Sequence, residues 1–134
     1  MKRTLLLLLA LATVALLSAP LFAAGGLAGV WLRANGNSKL TFVCNGNKCT
    51  SKVSWLKNPA AKESCGQKRP ILGMVNGTVT KSGANVWTGR LYNPEDCKWY
   101  SARATVNGNA LQLTGGYKVL GQYIGKTANF RRSN

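Results

Sequence analysis

The chain has no histidine, and only 3 of its 134 residues are Asp or Glu, against 18 Lys or Arg. Each scarcity removes a class of chemistry. Without histidine there is no Ser-His-Asp or Cys-His relay and no imidazole metal ligand. The carboxylates Glu63, Glu95 and Asp96 leave little material for a glycosidase pair, since two of them are neighbours in sequence. Ser54, Ser64, Thr88 and Tyr100 are nucleophiles in principle, but the sequence offers no base to activate them. The expectation is a non-enzymatic protein with no catalytic residue, metal or cofactor. What the chain has instead is positive charge, +15 in all, and room for a single domain.

The first residues read as a targeting segment. Lys2 and Arg3 precede an apolar run from Leu5 to Leu17, which Pro20 breaks and Ala23, Ala24 and Gly25 follow. The run of roughly 13 residues is short of the ~20 that a membrane span requires. No cysteine follows the small residues, which argues against a lipid anchor. Residues 1–25 are expected to be a cleaved export signal, cut between Ala23 and Gly25, with 26–134 as one domain. Without Lys2 and Arg3 the charge falls to +13. The expected compartment is a bacterial periplasm or the exterior, where disulfides persist.

Cys44, Cys49, Cys65 and Cys97 all lie beyond that segment. An even count in a small exported chain reads as two bridges. In Cys44-Asn45-Gly46-Asn47-Lys48-Cys49 a two-residue turn at Gly46-Asn47 sets the two cysteines opposite each other at bridging distance. Cys65 is then left for Cys97. A zinc site is the competing reading, but no paired C-x-x-C knuckle is present and the compartment is oxidising.

The rest of the chain reads as β. Turn signals at 35–38, 45–48, 81–85, 93–96 and 107–110 separate short runs rich in Val, Thr, Leu, Trp and Tyr. These predict strands near 27–33, 39–44, 49–56, 71–79, 86–92, 98–106, 110–117 and 120–132. Segment 57–70 is the one long connection, an omega-type flap or a helical turn around Ala60 to Lys62. Alternation gives each strand one apolar face: Tyr100, Ala102, Ala104 and Val106 against Trp99, Ser101, Arg103 and Thr105, and Leu111 and Leu113 against Gln112 and Thr114. No amphipathic helix is available to cover an open sheet. About eight antiparallel strands with short turns bury their apolar faces best by closing into a small up-and-down barrel, with a flattened sandwich as the alternative.

Gly29-Val30-Trp31 places a Gly-x-Trp on the first strand, the pattern of lipocalin-like (calycin) barrels. Its companions are Cys44 and Cys49, Lys52-Val53-Ser54-Trp55-Leu56-Lys57, Asn58-Pro59, and Arg69-Pro70-Ile71-Leu72-Gly73. Later come Trp87-Thr88-Gly89-Arg90-Leu91-Tyr92-Asn93-Pro94, Lys98-Trp99-Tyr100-Ser101-Ala102, Leu111-Gln112-Leu113-Thr114-Gly115-Gly116-Tyr117 and a closing aromatic-x-Arg. Together they resemble the exported bacterial family catalogued as domain of unknown function 2147. The resemblance implies a lipocalin-like barrel and brings no activity or catalytic residues. It also implies that Trp31 packs under Arg131 or Arg132 of the last strand and closes the barrel, a cation–π contact worth ~0.5–2 kcal/mol. The chain departs from the family pattern at Thr50 and Cys97, where Gly is more common, at Leu72, where Cys is frequent, and at Phe130, where Trp is usual. The second bridge is therefore not implied by the resemblance.

Two groups of residues are candidates for function. Trp55, Trp87, Tyr92, Tyr100 and Tyr117, with Trp99 and Tyr123, are candidates to line a small cavity for an apolar or amphipathic ligand. Space is expected beside Ala102, Ala104, Gly89 and Gly73, and parity sets Arg90 and Trp87 on opposite faces. The bland alternative is that the aromatics fill the core, because an eight-strand barrel is only just wide enough for its side chains. The second group is basic: Lys48, Lys52, Lys57, Lys62, Lys68, Arg69 and Lys98 are expected to gather at one end. They suit docking to lipid headgroups, lipopolysaccharide or acidic polysaccharide without an internal ligand, against the bland reading of solvated charge. Nucleic acid is the least favoured partner, since no recognition motif is visible. A third reading is an inhibitor of a secreted enzyme, although the positive charge argues against a basic target.

Overall fold

The computed structural model describes residues 26–120 and 122–133, the side chains at 118, 119, 123 and 124 excepted. The export-signal reading of residues 1–25 lies outside the described residues. Eight antiparallel strands run β1 (Gly29–Arg33), β2 (Ser38–Asn45), β3 (Lys48–Leu56), β4 (Val75–Gly83), β5 (Val86–Asn93), β6 (Lys98–Asn107), β7 (Ala110–Val119) and β8 (Gln122–Ser133). Each pairs with its sequence neighbour and β8 returns to β1, so the sheet closes into an up-and-down barrel. Closure removes both sheet edges, which is why no covering helix is needed.

The alternation behaves as the sequence implies. Leu40, Phe42, Ala102, Ala104, Val106, Leu111 and Leu113 are buried, while Ser101, Arg103 and Gln112 are exposed. The largest shift from expectation is β4, expected at 71–79 and found at Val75–Gly83. Ile71 to Met74 make a turn instead, closed by Met74 N–H donating to the Ile71 carbonyl at 3.0 Å, with Gly73 at a φ of 87°. That turn lays Ile71 against the core. At its other end β4 runs on to Gly83, which pairs with Val86 across a tight turn.

Up-and-down winding assigns every connection to one of two ends. The Gly46-Asn47, Ala84-Asn85 and Gly108-Asn109 turns and residues 26–28 sit at one end. The 34–37 turn, the 57–74 connection, the 94–97 turn and the β7–β8 tip sit at the other. The first end is filled: Leu27, Trp31, Phe42, Cys49, Val79, Trp87, Val106 and Leu111 pack there. Trp31 Nε1 donates to the Leu27 carbonyl at 2.9 Å, and the Arg132 guanidinium lies 4.3 Å from the Trp31 ring centroid. The expected plug is present, but Arg132 rather than Arg131 completes it. Trp31 pairs with Arg132 in the β1–β8 register and both turn inward, whereas Arg131 pairs with Leu32 and is exposed.

Candidate functional site

At the other end the barrel stays open, and a cavity of about 670 Å³ enters it. Its deep wall is apolar, formed by Leu40, Val53, Leu91, Leu113, Ala128 and Phe130. Gly115 supplies room on β7, where an added Cβ would meet nothing nearer than Leu91 Cδ1 at 3.8 Å, whereas a Cβ on Gly125 would fall 2.0 Å from the Gly115 carbonyl oxygen. The expected small residues supply none. Ala102 and Ala104 are packed in the core, and a Cβ on Gly89 would fall 2.0 Å from the Thr78 carbonyl oxygen. Gly73 borders an outer groove.

The mouth is polar and carries both signs of charge. Arg33 and Lys126 line it from β1 and β8, and Glu95 and Asp96 line it from the β5–β6 turn. Register explains the two cations. Arg33 lies two residues beyond inward Trp31 and opposite inward Phe130, and Lys126 continues the inward row through Phe130 and Ala128. Neither was singled out in the sequence reading, although the alternation contained the signal. Tyr100 also faces in and packs edge-on against Tyr117, with centroids 5.6 Å apart. Its hydroxyl donates to the Asp96 carboxylate, and this bond, with burial adding, pushes the Tyr100 hydroxyl up to about 12. Deeper, the Ser51 hydroxyl donates to Asn76 Oδ1 at 2.8 Å.

Of the aromatic candidates, Tyr92, Tyr100 and Tyr117 border the cavity, whereas Trp55 and Trp87 do not. Trp87 faces inward but is core at the closed end, with Lys81 Nζ 5.7 Å from its ring centroid. Trp55 is turned out by a bulge. Leu40 pairs with Val53 and Lys39 with Trp55, which leaves Ser54 as an extra residue. Without it, the inward row of Cys49, Ser51 and Val53 would continue to Trp55; with it, Leu56 takes the inward position. Trp99 is outward beneath Arg90, whose guanidinium lies 5.7 Å from its ring centroid. The side chain of Tyr123 lies outside the described residues.

The 57–74 connection is a flap doubled back on itself through the Lys62–Pro70 bridge, with a turn rather than a helix at Pro59-Ala60. Its fastening is a carboxylate the sequence reading had not assigned. Glu63 is buried, and Arg69 forks onto it through Nε at 3.2 Å and a terminal nitrogen at 2.9 Å. The Tyr92 hydroxyl donates to the same carboxylate at 2.6 Å. These donors, Arg69 first and Tyr92 second, hold the Glu63 carboxyl down to about 2. The pairing in turn raises both the Arg69 guanidinium and the Tyr92 hydroxyl. A disulfide joins the flap at Cys65 to the β5–β6 turn at Cys97, and a second joins Cys44 to Cys49 across the hairpin. All four cysteines are thus oxidised and none is a metal ligand.

The basic candidates do not form one cluster. Lys48 sits beside the Cys44–Cys49 hairpin at the closed end, a full strand away from the flap, because β3 traverses the barrel between them. Lys52 is exposed on the outer wall midway along β3. Arg69 is spent on Glu63. Lys57, Lys62, Lys68 and Lys98 remain at the open end.

Comparison with known proteins accords with this geometry. The sequence profile of the family described as "Uncharacterized protein conserved in bacteria (DUF2147)" matches residues 29–132, and the chain belongs to that family. Among solved structures it is similar to protein HP1028 of Helicobacter pylori, described as belonging to the lipocalin family. The two share 22% identity at a TM-score of 0.62, over 81% of this chain and 83% of that one. At that identity the likeness establishes the lipocalin-like fold and nothing further. The comparison with curated proteins found no match.

Proposed function

We propose that this protein is an exported binding protein that holds one small amphipathic molecule in its open-ended barrel. The observation that carries the reading is the gradient along the cavity: an apolar floor of Leu40, Val53, Leu113 and Phe130 below a mouth of Arg33, Lys126, Asp96 and Tyr100. An apolar tail gains by leaving water at the floor, while a polar head keeps partners at the mouth. Two disulfides and membership of a bacterial family support export, as does the residue pattern of 1–25.

Gly115 gives a direct test. A Cβ placed on it meets nothing nearer than Leu91 Cδ1, at 3.8 Å, so Gly115→Phe is expected to fold and to fill the cavity. A dansylated fatty acid should brighten on binding the native protein and not with Gly115→Phe. Native mass spectrometry of protein taken from its own host should show a retained small molecule that the variant lacks. Equal probe binding by both proteins would sink the reading.

A further inference from the structure

The two ends of the barrel are both basic, but only one is also apolar on its outside. Among the described residues, Val43, Trp55, Leu72, Val75, Trp99, Tyr117 and Leu120 are the exposed large hydrophobics. All but Val43 lie at the open end, on the last turn of β3, the flap, the starts of β4 and β6, and the β7–β8 tip. They are spaced around the mouth, and Leu120 at the tip is 100% exposed. Toward the closed end only Val43 is exposed among the described large hydrophobics, and both tryptophans there are covered, Trp31 beneath Arg132 and Trp87 beneath Lys81.

We infer that this open rim docks on an anionic phospholipid bilayer, with the mouth of the cavity facing the lipid. The rim pairs aromatic and aliphatic side chains with cations: Lys39 Nζ lies 5.8 Å from the Trp55 ring centroid and Arg90 5.7 Å from that of Trp99. Lys57, Lys62, Lys68 and Lys98 stand among them. Tryptophan and lysine together suit the headgroup layer, where an indole is half in hydrocarbon and an ammonium reaches phosphate. The acids at this end are outnumbered, since Glu95 and Asp96 at the mouth stand against Arg33, Lys126 and the four lysines. Glu63 is tied to Arg69, and Asp96 accepts the Tyr100 hydroxyl and the Lys98 N–H. A second copy of the chain is a poor occupant, because it would bring the same positive rim, whereas an anionic bilayer is complementary to it. Docked this way, an amphiphile passes between bilayer and barrel without crossing open water. That consequence rests on the binding reading above, but the docking itself does not.

Vesicle binding tests it. Trp31 and Trp87 are buried, so a change in tryptophan emission on adding vesicles reports Trp55 and Trp99. The protein is expected to partition onto phosphatidylglycerol-containing vesicles with blue-shifted emission, and far less onto pure phosphatidylcholine or at high salt. Leu120→Asp and Trp99→Ser should each weaken partitioning by about tenfold or more, since each removes an inserted apolar group. The pair Lys62→Glu with Lys68→Glu should weaken it similarly, and the charge-matched closed-end pair Lys48→Glu with Arg131→Glu should change it little. Gly115→Phe should bind vesicles as the native protein does, so probe binding that Gly115→Phe retains in full, with vesicle binding intact, would fault the cavity reading alone. Three results would overturn the docking: no partitioning onto anionic vesicles, an equal loss from the closed-end pair, or a dimer in solution that Leu120→Asp converts to monomer.

Discussion

Arg132 lies over Trp31, its guanidinium 4.3 Å from the indole centroid, and the two side chains together fasten residues 26–28 over the closed end. Trp31 Nε1 holds the Leu27 carbonyl at 2.9 Å, and Arg132 donates to the carbonyls of Ala28, at 3.2 Å, and Gly26. Gly29 is required between them. It takes a φ of 127°, which disfavours any other residue, and a Cβ there would lie 3.4 Å from the Arg132 guanidinium. The Gly-x-Trp pattern is thus a joint that lets the chain bend under Arg132.

Truncating this joint should be costly. Trp31→Ala empties a fully buried site and is expected to cost about 3–5 kcal/mol, lowering the melting temperature by more than about 10 °C. Arg132→Ala forfeits the ring contact and its carbonyl bonds, about 1–3 kcal/mol. Arg131→Ala should stay within about 0.5 kcal/mol of the native protein, because its side chain is exposed. Thermal melts that ranked Arg131→Ala with Arg132→Ala would contradict the register argument.

Cys97 holds a φ of 57°, in the left-handed region that favours glycine. A non-glycine residue in the left-handed region costs roughly 1–2 kcal/mol. The bridge to Cys65, closing a loop of sequence separation 32, offsets this by about 3 kcal/mol or more through the unfolded state. Cys65→Ser with Cys97→Gly should therefore be less stable than the native protein, yet more stable than Cys65→Ser with Cys97→Ser by roughly 1 kcal/mol. Chemical denaturation of the two double variants decides this, and equal midpoints would remove the strain argument.

Glu63 makes the flap sensitive to acid. Its carboxyl titrates near 2 in the folded protein against 4.5 ordinarily. A depressed folded pKa contributes stability that is complete above the ordinary value and is lost as pH falls through the folded one. The native protein should thus melt above Glu63→Gln at neutral pH, with the gap shrinking between pH 4.5 and about 2. Melting curves collected across that window measure it, and a gap independent of pH would mean that Glu63 acts by packing alone.

The inward cations set the expected preference for a head group. Arg33→Ala with Lys126→Ala removes both positive groups lining the mouth and leaves Leu40, Val53 and Phe130 untouched. The double variant should bind a fatty acid about tenfold more weakly, or worse, and the fatty alcohol of equal length about as well as the native protein. Competition against the dansylated probe compares the two, and parallel losses would assign these residues to something other than the head group.

The sequence by itself determined a good deal, because a period of two is local. It decided that the chain is β, which side chains share a face, and that Cys44 meets Cys49 across a Gly-Asn turn, while the pairing of Trp31 with an arginine of the last strand came from the family resemblance. The two-ended division of the charges was also legible, since one whole strand separates Lys48 from the flap. Tertiary structure alone decided the rest. The choice of Arg132 over Arg131 was made by the β1–β8 register, which sets Arg132 opposite Trp31. A single extra residue at Ser54 reversed the parity and sent Trp55 outward, and no local pattern announces a bulge. Glu63 found Arg69 and Tyr92 only because the flap folds back through the Lys62–Pro70 bridge onto β5. The open mouth likewise belongs to the closed sheet, since a floor of Leu40, Leu113 and Phe130 below Arg33 and Lys126 exists only once β8 reaches β1.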